Sequence, residues 1–345
     1  MLGPGRDVKG GVSAVVNNYF AYGLDKSVSL TYLATMEDGS KLRKLLVAAK
    51  AYWQFGALLK DCEIVHIHMA AQASFDRKAF FVERAKKAGK RIVIHQHGGD
   101  FDDWFFSRIG ERKRRRVRKV FAMADKVIVL SEEWADFFKE NVCDPDRLAV
   151  VYNGVPAPDR EKTDYSDRNV LGLGRLEEEK GTYDLLKAIP TVLRSVPDGM
   201  FYLCGTGDTE KCRRIAADTG IGGHVVFPGW VSGEEKEKLL KKCSTFILPS
   251  HFEGMPMSVL EAMSCGLAAI STNVGGIPQI IDDNVNGIRV DAGDVQAVSE
   301  ALISVLSDEA LRKRLGEAGR ERVIEKFDLA KGISTLIDIY SSLEE

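Results

Sequence analysis

Two carboxylates eight positions apart, Glu253 and Glu261, lie in the run FEGMPMSVLEAM, and two cations, Arg175 and Lys180, stand well upstream in LGLGRLEEEKG. Glu253 sits in a loop beside Gly254. Glu261 falls inside a predicted helix that Pro256 opens, since proline fits a first helical position where a missing N–H costs nothing. A helix N-terminus carries free N–H groups and partial positive charge, which suit a phosphate. One carboxylate before that end and another about one and a half turns inside it can grip two parts of a ligand, on either side of its diphosphate. Arg175, just past a predicted strand, and Lys180, just before a predicted helix, suit the same diphosphate, arginine as a fork and lysine as a point charge. The rival reading is a pair of surface charges facing the acidic run Glu177-Glu178-Glu179. As a set, the four side chains suggest a nucleotide-sugar site.

Other residues carry weaker signals. Gly10-Gly11-Val12 end a polar loop, and 13–20 reads as a helix, so the glycines would let the backbone approach a ligand. His66 and His68 share one predicted strand and His95 and His97 another, each pair projecting to one face. No cysteine or HExxH arrangement completes a zinc site, so no metal is expected. His97 precedes Gly98-Gly99-Asp100 at the C-terminal end of its strand, the edge where open α/β sheets bind ligands, and can hydrogen-bond a sugar hydroxyl or a developing charge. His66 and His95 read as satisfied structural histidines. Gly172 and Gly174 lack the third glycine of a dinucleotide fingerprint. The segment 204–208, with Gly205 and Gly207, repeats the strand-to-glycine theme and could wall a base or ribose.

These residues need a scaffold, and the chain supplies the pattern of one. Its 345 residues favour two domains. With 48 basic against 50 acidic residues, net −2, bulk charge does not point to nucleic acid. The 45% hydrophobic content is that of a globular protein, and no apolar run approaches the ~20 residues of a membrane span. Six scattered cysteines without a CxxC pair read as reduced, mostly buried thiols of a cytoplasmic protein. Apolar strand candidates at 28–34, 63–69, 91–97, 126–131 and 148–153 alternate with helical patterns, notably 41–60 and 75–89. Residues 154–168 are polar and proline-bearing and read as a linker. The rhythm restarts at 169–174, 200–205, 224–229, 244–250, 267–273 and 287–292. Apolar rather than alternating strands imply two parallel sheets, each covered on both faces, an α/β protein. Met1-Leu2 running straight into glycine is short of a full strand, which reads as a vestigial first strand or, by preference, the loss of several N-terminal residues. The run 111–119 carries seven basic side chains; it is a solvated helix face or a contact for anionic lipid.

The segments HQHGGDF, VIVLSEEW, VYNGV, GLGRLEEEKG, CGTGD, FPGWVS and FEGMPMSVLEAMSCGLAAISTNVGGIPQII, with the glycine pair at 10–11, together resemble the retaining glycosyltransferases of GT-B type, glycosyltransferase family 4 (group 1). The resemblance runs over almost the whole chain, and Glu-x7-Glu with Arg and Lys upstream is its most specific element. It implies two Rossmann-like parallel-sheet domains facing a central cleft: 1–155 on the acceptor side, 156–326 binding the nucleotide sugar, and 327–345 a helix crossing back to the first domain.

By that resemblance Arg175 and Lys180 would hold the donor diphosphate, and Glu261 the ribose hydroxyls. Glu253 and His97 would contact the donor sugar, and the backbone at Gly254, Met255, Pro256 and Met257 would seat sugar and phosphate. Gly10 and Gly11 would lie near the diphosphate, and Gly205, Gly207 and Val231 would line the base. The implied reaction is metal-independent hexosyl transfer with retention from a UDP- or GDP-sugar, without cofactor. Its acceptor would be a lipid-linked or other glycan in cell-surface polysaccharide or glycolipid synthesis, at the inner face of the membrane. An isomerase of nucleotide sugars would need an acid–base pair that the sequence does not offer. A silent scaffolding subunit would have no need of all four charged residues.

Overall fold

The structure, a computed structural model, describes residues 1–156 and 163–344, the side chain of Lys41 excepted. The first half runs β1 (Leu2–Gly3), α1 (Gly11–Ala21), α2 (Leu24–Ser27), β2 (Leu33–Ala34), α3 (Lys41–Leu58), β3 (Ile64–Met69), α4 (Ala73–Lys87) and β4 (Arg91–Gln96). It continues with α5 (Phe101–Asp103), α6 (Glu111–Phe121), β5 (Lys126–Val129), α7 (Glu132–Asn141) and β6 (Leu148–Val150). The second half runs β7 (Asn169–Leu173), α8 (Thr182–Ser195), β8 (Met200–Cys204), α9 (Thr209–Asp218), β9 (Val225–Gly229), α10 (Gly233–Lys242), β10 (Thr245–Leu248) and α11 (Met257–Ser264). After these come β11 (Ala268–Thr272), α12 (Ile277–Ile280), β12 (Ile288–Val290), α13 (Val295–Ser307), α14 (Glu309–Lys326) and α15 (Leu329–Glu344). The chain divides into two compact units, Met1–Gly154 with α15, and Val155–Asp328.

In the first unit six parallel strands are ordered β2-β1-β3-β4-β5-β6. The first strand exists but is two residues long, set between β2 and β3. That shortness limits its neighbour: the run 28–34 forms a ladder only at Leu33 and Ala34, because β1 offers no further partners. Alternation along β3 and β4 sends Val65, Ile67, Ile92 and Ile94 into one core with Phe55 of α3, Phe75 and Val82 of α4 and Val117 of α6. It turns His66, His68 and His95 to the opposite face, where Tyr19 of α1 and Tyr340 of α15 stand against them.

The second unit repeats the plan with strand order β12-β11-β10-β7-β8-β9. Leu185, Ile189, Val298 and Leu302 of α8 and α13 share a buried core with Val170, Phe201 and Ile270 of the sheet. The linker reading needs correction. Of its residues, 157–162 lie outside those described, but Tyr165 is buried with its hydroxyl donating to the Gly266 carbonyl at 2.7 Å, and Thr163 donates to the Cys265 carbonyl. Its polar composition disguised a docked segment. The buried Arg312 guanidinium donates to the carbonyls of Tyr165, Val305 and Leu306, so a cation of α14 ties that segment down. All six cysteines are free, three of them buried, and burial pushes the Cys204 and Cys143 thiols up to about 12.

Candidate active site

In the second sheet strand order reverses between β7 and β10. Connections from these neighbours leave in opposite directions, which opens a crevice beyond their C-terminal ends. Arg175 and a short turn at Glu178–Lys180 follow β7, and the loop 249–256 follows β10. Lys180 Nζ lies 2.7 Å from Glu253 Oε1 and 3.4 Å from the Phe252 carbonyl oxygen. The Ser250 hydroxyl donates to the same Glu253 oxygen at 2.8 Å. The Glu253 side chain is 9% exposed and that of Lys180 23%, so this is a largely desolvated pair. Arg175, by contrast, is more than half exposed and pairs with Glu177 at 2.9 Å. The surface-pair reading therefore describes Arg175 here, whereas Lys180 bypasses the acidic run. A small cavity at the strand ends is lined by Gly174, Arg175, Lys180, Thr182, Cys204 and Pro249.

Pro256 is not the first residue of α11 but its cap, with an extended ψ of 118°, and its carbonyl accepts from Leu260 N. The helix thus begins at Met257, one residue later than proline's preference for a first position suggests. Met255, Pro256 and Met257 are buried. Gly275, with φ of +53°, packs so closely that a Cβ would strike the Glu253 carbonyl, and Gly276 N donates to Gly254 O at 2.6 Å. The VGGIP run therefore braces the loop that carries Glu253. Glu261, within α11, has Oε1 2.9 Å from Lys236 Nζ of α10. Nothing marked Lys236 in a helix that reads GEEKEKLLKK. Another tie without a sequence signal is His251 Nε2 to Asp184 Oδ2 at 2.8 Å, which anchors the same loop to α8.

Gly205 has φ of +157°, and a Cβ there would run into the Gly174 carbonyl, while Gly207 bridges to Leu176. These two glycines let the ends of β7 and β8 touch, a local requirement that the strand-to-glycine theme did not separate from ligand contact. Val231, just after β9, is buried.

In the first unit, Gly10 is extended and Gly11 starts α1 with no side chain capping it, and both glycines border open space. His97 follows β4, and its Nε2 lies 2.7 Å from His68 Nδ1. Burial, then the neighbouring His95, Lys78 and His66, hold His97 well below the usual imidazole range, so it is neutral at pH 7. The expectation that His66 and His95 are satisfied is corrected. His66 Nδ1 meets the Tyr340 hydroxyl at 2.5 Å, but His66 Nε2, His68 Nε2 and both His95 nitrogens find no partner among the described residues. Ring nitrogens of the three lie within 4.8 Å of one another. Their rings pack by their faces, His66 on His68 at 4.6 Å and 26°. Beside them Gln72, at φ of +57°, donates to Asp100 at 2.7 Å across the ends of β3 and β4. A non-glycine residue held in that region is a strained position of the kind that clusters at functional sites.

Two doubly wound parallel sheets, the second with a largely desolvated lysine–carboxylate pair at its strand-order reversal, define a GT-B protein. Residues 31–157 match the family described as Glycosyltransferase Family 4 and residues 158–322 that described as Glycosyl transferases group 1. The chain belongs to this family and is a glycosyltransferase. It is 26% identical to the UDP-Gal:alpha-D-GlcNAc-diphosphoundecaprenol alpha-1,3-galactosyltransferase of Escherichia coli over 92% of this chain and 84% of that one. It is 29% identical to the GDP-mannose-dependent alpha-(1-6)-phosphatidylinositol monomannoside mannosyltransferase of Mycolicibacterium smegmatis, over 76% of this chain and 73% of that one. The solved structure of Anabaena HepE in complex with UDP and glucose shares the fold, with a TM-score of 0.78 at 16% identity, covering 99% of this chain and 98% of that one.

Proposed function

We propose that this glycosyltransferase moves a hexosyl unit, with retention, from a nucleoside-diphosphate sugar to a hydroxyl of a lipid-linked glycan, without a metal ion. The observation that carries the reading is the Lys180–Glu253 pair at the strand-order reversal of the second sheet. In the reaction the bond from the anomeric carbon to the phosphate oxygen breaks and charge grows on the leaving diphosphate. Lys180 and Arg175 offset that charge, each such contact being worth about 10²–10³ in rate. Glu253 accepts from hydroxyls of the donor sugar once Lys180 turns to the diphosphate, and the N–H groups at Gly254 to Met257 seat sugar and phosphate. Glu261 accepts from the ribose hydroxyls. Gly205, Gly207 and Val231 line the base, Gly10 and Gly11 bring backbone N–H groups to the diphosphate, and neutral His97 hydrogen-bonds the sugar. The acceptor hydroxyl attacks the face that the leaving group departs from, and a donor phosphate oxygen takes its proton, so no side chain needs to be a strong base.

Two relatives named for UDP-galactose and GDP-mannose, and for undecaprenol- and phosphatidylinositol-linked acceptors, support the donor and acceptor classes. Among the described residues no helix is long and apolar enough to cross a membrane. A lipid-linked acceptor then requires that the enzyme work at the surface of the bilayer, on its cytoplasmic face. Calorimetric titration with UDP and then GDP, each with and without EDTA, tests the site without an acceptor. Binding of one nucleotide, indifferent to EDTA, is expected. Binding of neither, or binding abolished by EDTA, overturns the metal-free nucleotide site.

A further inference from the structure

Helices α3, α4 and α6 pack side by side over one face of the first sheet. Their inner sides place Ala51 and Phe55, Phe75 and Val82, and Val117 and Val120 in one buried core. α3 is apolar on a second side as well. Leu42, Leu45 and Leu46 are 62–66% exposed and Trp53 is 80% exposed. Together with the exposed Ala49 they recur at i, i+3, i+4, i+7 and i+11, a stripe about 100° wide at helical spacing, turned away from Ala51 and Phe55. Phe80 of α4 is half exposed, with the Arg116 guanidinium over its ring.

Charge on this layer is one-sided. The three helices carry sixteen basic and three acidic residues in a chain whose net charge is −2. Each acidic residue is already in an ion pair: Asp76 with Lys113, Glu83 with Arg116, Glu111 with Arg118. The basic run, read from sequence as a solvated face or a lipid contact, is itself partly used up by these pairs and by the donation of Arg114 to the Phe105 carbonyl. Arg112, Arg115 and Lys119 remain exposed on one side of α6. α3 contains no acidic residue at all.

We infer that this three-helix layer docks on an anionic lipid bilayer, with Leu42, Leu45, Leu46 and Trp53 of α3 entering the interface and the exposed cations of α3 and α6 meeting the headgroups. Leucines supply apolar area to be buried among acyl chains, and tryptophan favours the headgroup boundary. Arg43 and Lys50 of α3 can lay their stems along that boundary while keeping their charges in water. The other occupants fit worse. A polynucleotide would take the cations but leave the leucine stripe exposed. A second copy would set two strongly positive layers face to face. The inference deepens the transferase reading, which places the enzyme at a bilayer, but vesicle binding requires neither donor nor acceptor, so the two can fail separately.

Co-sedimentation with phosphatidylcholine vesicles, with and without phosphatidylglycerol, tests it. The protein should partition at least ~10-fold more strongly to the anionic vesicles, and less so as salt rises. Leu45→Gln/Leu46→Gln/Trp53→Gln should lose at least ~10-fold of that binding, since the apolar insertion is gone while glutamine keeps helix propensity. Circular dichroism and nucleotide titration on the same variant check that the fold and the donor site stand. Arg112→Gln/Arg115→Gln/Lys119→Gln should also weaken binding and flatten its salt dependence. Unchanged partitioning of the α3 variant overturns the proposal, as does equal binding to neutral and anionic vesicles. So does a concentration-dependent dimer, abolished by the α3 variant, in a protein that ignores vesicles.

Discussion

Lys180 Nζ and Glu253 Oε1 stand 2.7 Å apart, and the Ser250 hydroxyl shares that carboxylate oxygen. The pair joins the turn after β7 to the loop after β10, so cation and carboxylate hold the two segments together. A buried carboxylate with both partners in place is tolerated, whereas one stripped of its cation is costly. Diphosphate binding offers Lys180 a second anion and leaves Glu253 free for sugar hydroxyls. Lys180→Ala should therefore cut transfer by about 10²–10³ and lower Tm, while circular dichroism below the melt stays native-like. Near-normal turnover would remove Lys180 from the diphosphate.

Glu261 meets Lys236 at 2.9 Å, and both side chains keep some exposure. If Glu261 accepts from ribose hydroxyls, Glu261→Gln should weaken nucleoside-diphosphate binding about 10-fold or more, the scale of a hydrogen bond to a charged group. Inorganic pyrophosphate, which lacks ribose, should bind as before. Equal losses for both ligands in calorimetry would mean that Glu261 acts through the shape of α11 rather than on ribose.

The parts of this fold that follow from local pattern were legible in the sequence. Apolar strands between helical runs specify parallel sheets, because a strand buried on both faces cannot alternate. The carboxylate spacing around Pro256 marked the loop and helix that carry Glu253 and Glu261. What stayed hidden depends on distant partners. The Lys180–Glu253 contact spans 73 positions and Tyr165–Gly266 spans 101. Lys236 sits in a helix so rich in charge that no single residue stands out. The ladder at 28–34 is cut short by the length of β1, not by its own residues. The apolar pattern at 41–60 announced a helix but not that it has two apolar sides, since the wheel alone does not tell which side meets the core.

Burial of His66, His68 and His95 has a thermodynamic signature. Desolvation holds all three imidazoles below their ordinary 6.5, with His95 at about 3. In the unfolded chain they take up protons near 6.5, but in the fold they do so only far below. The histidines' contribution to stability is therefore full above pH 6.5 and falls as pH drops, by up to about 1.4 kcal/mol per pH unit for each histidine. Lys78, buried and lowered to about 7, works with the same sign at higher pH. Thermal melts from about pH 8 to 4.5 should show Tm declining most steeply below 6.5, and His95→Asn should make that decline shallower. A Tm independent of pH across this window would sink the account.

His68 and His97 form a pair in which only one ring can donate, since both imidazoles are neutral and Nδ1 of one faces Nε2 of the other at 2.7 Å. The hydrogen bond couples the tautomer of His97 to that of His68 and holds the ring in place, and the other nitrogen, Nδ1, is left for the sugar in the proposed reaction. Replacing His68 tests this without touching the ligand. His68→Leu should lower kcat about 10-fold with little change in the KM for the donor, because binding survives while orientation is lost. His68→Asn, which can restore a polar partner to Nε2, should recover much of that rate. Equal losses in both variants, or a KM effect alone, would assign His68 to packing beneath β4 rather than to the orientation of His97.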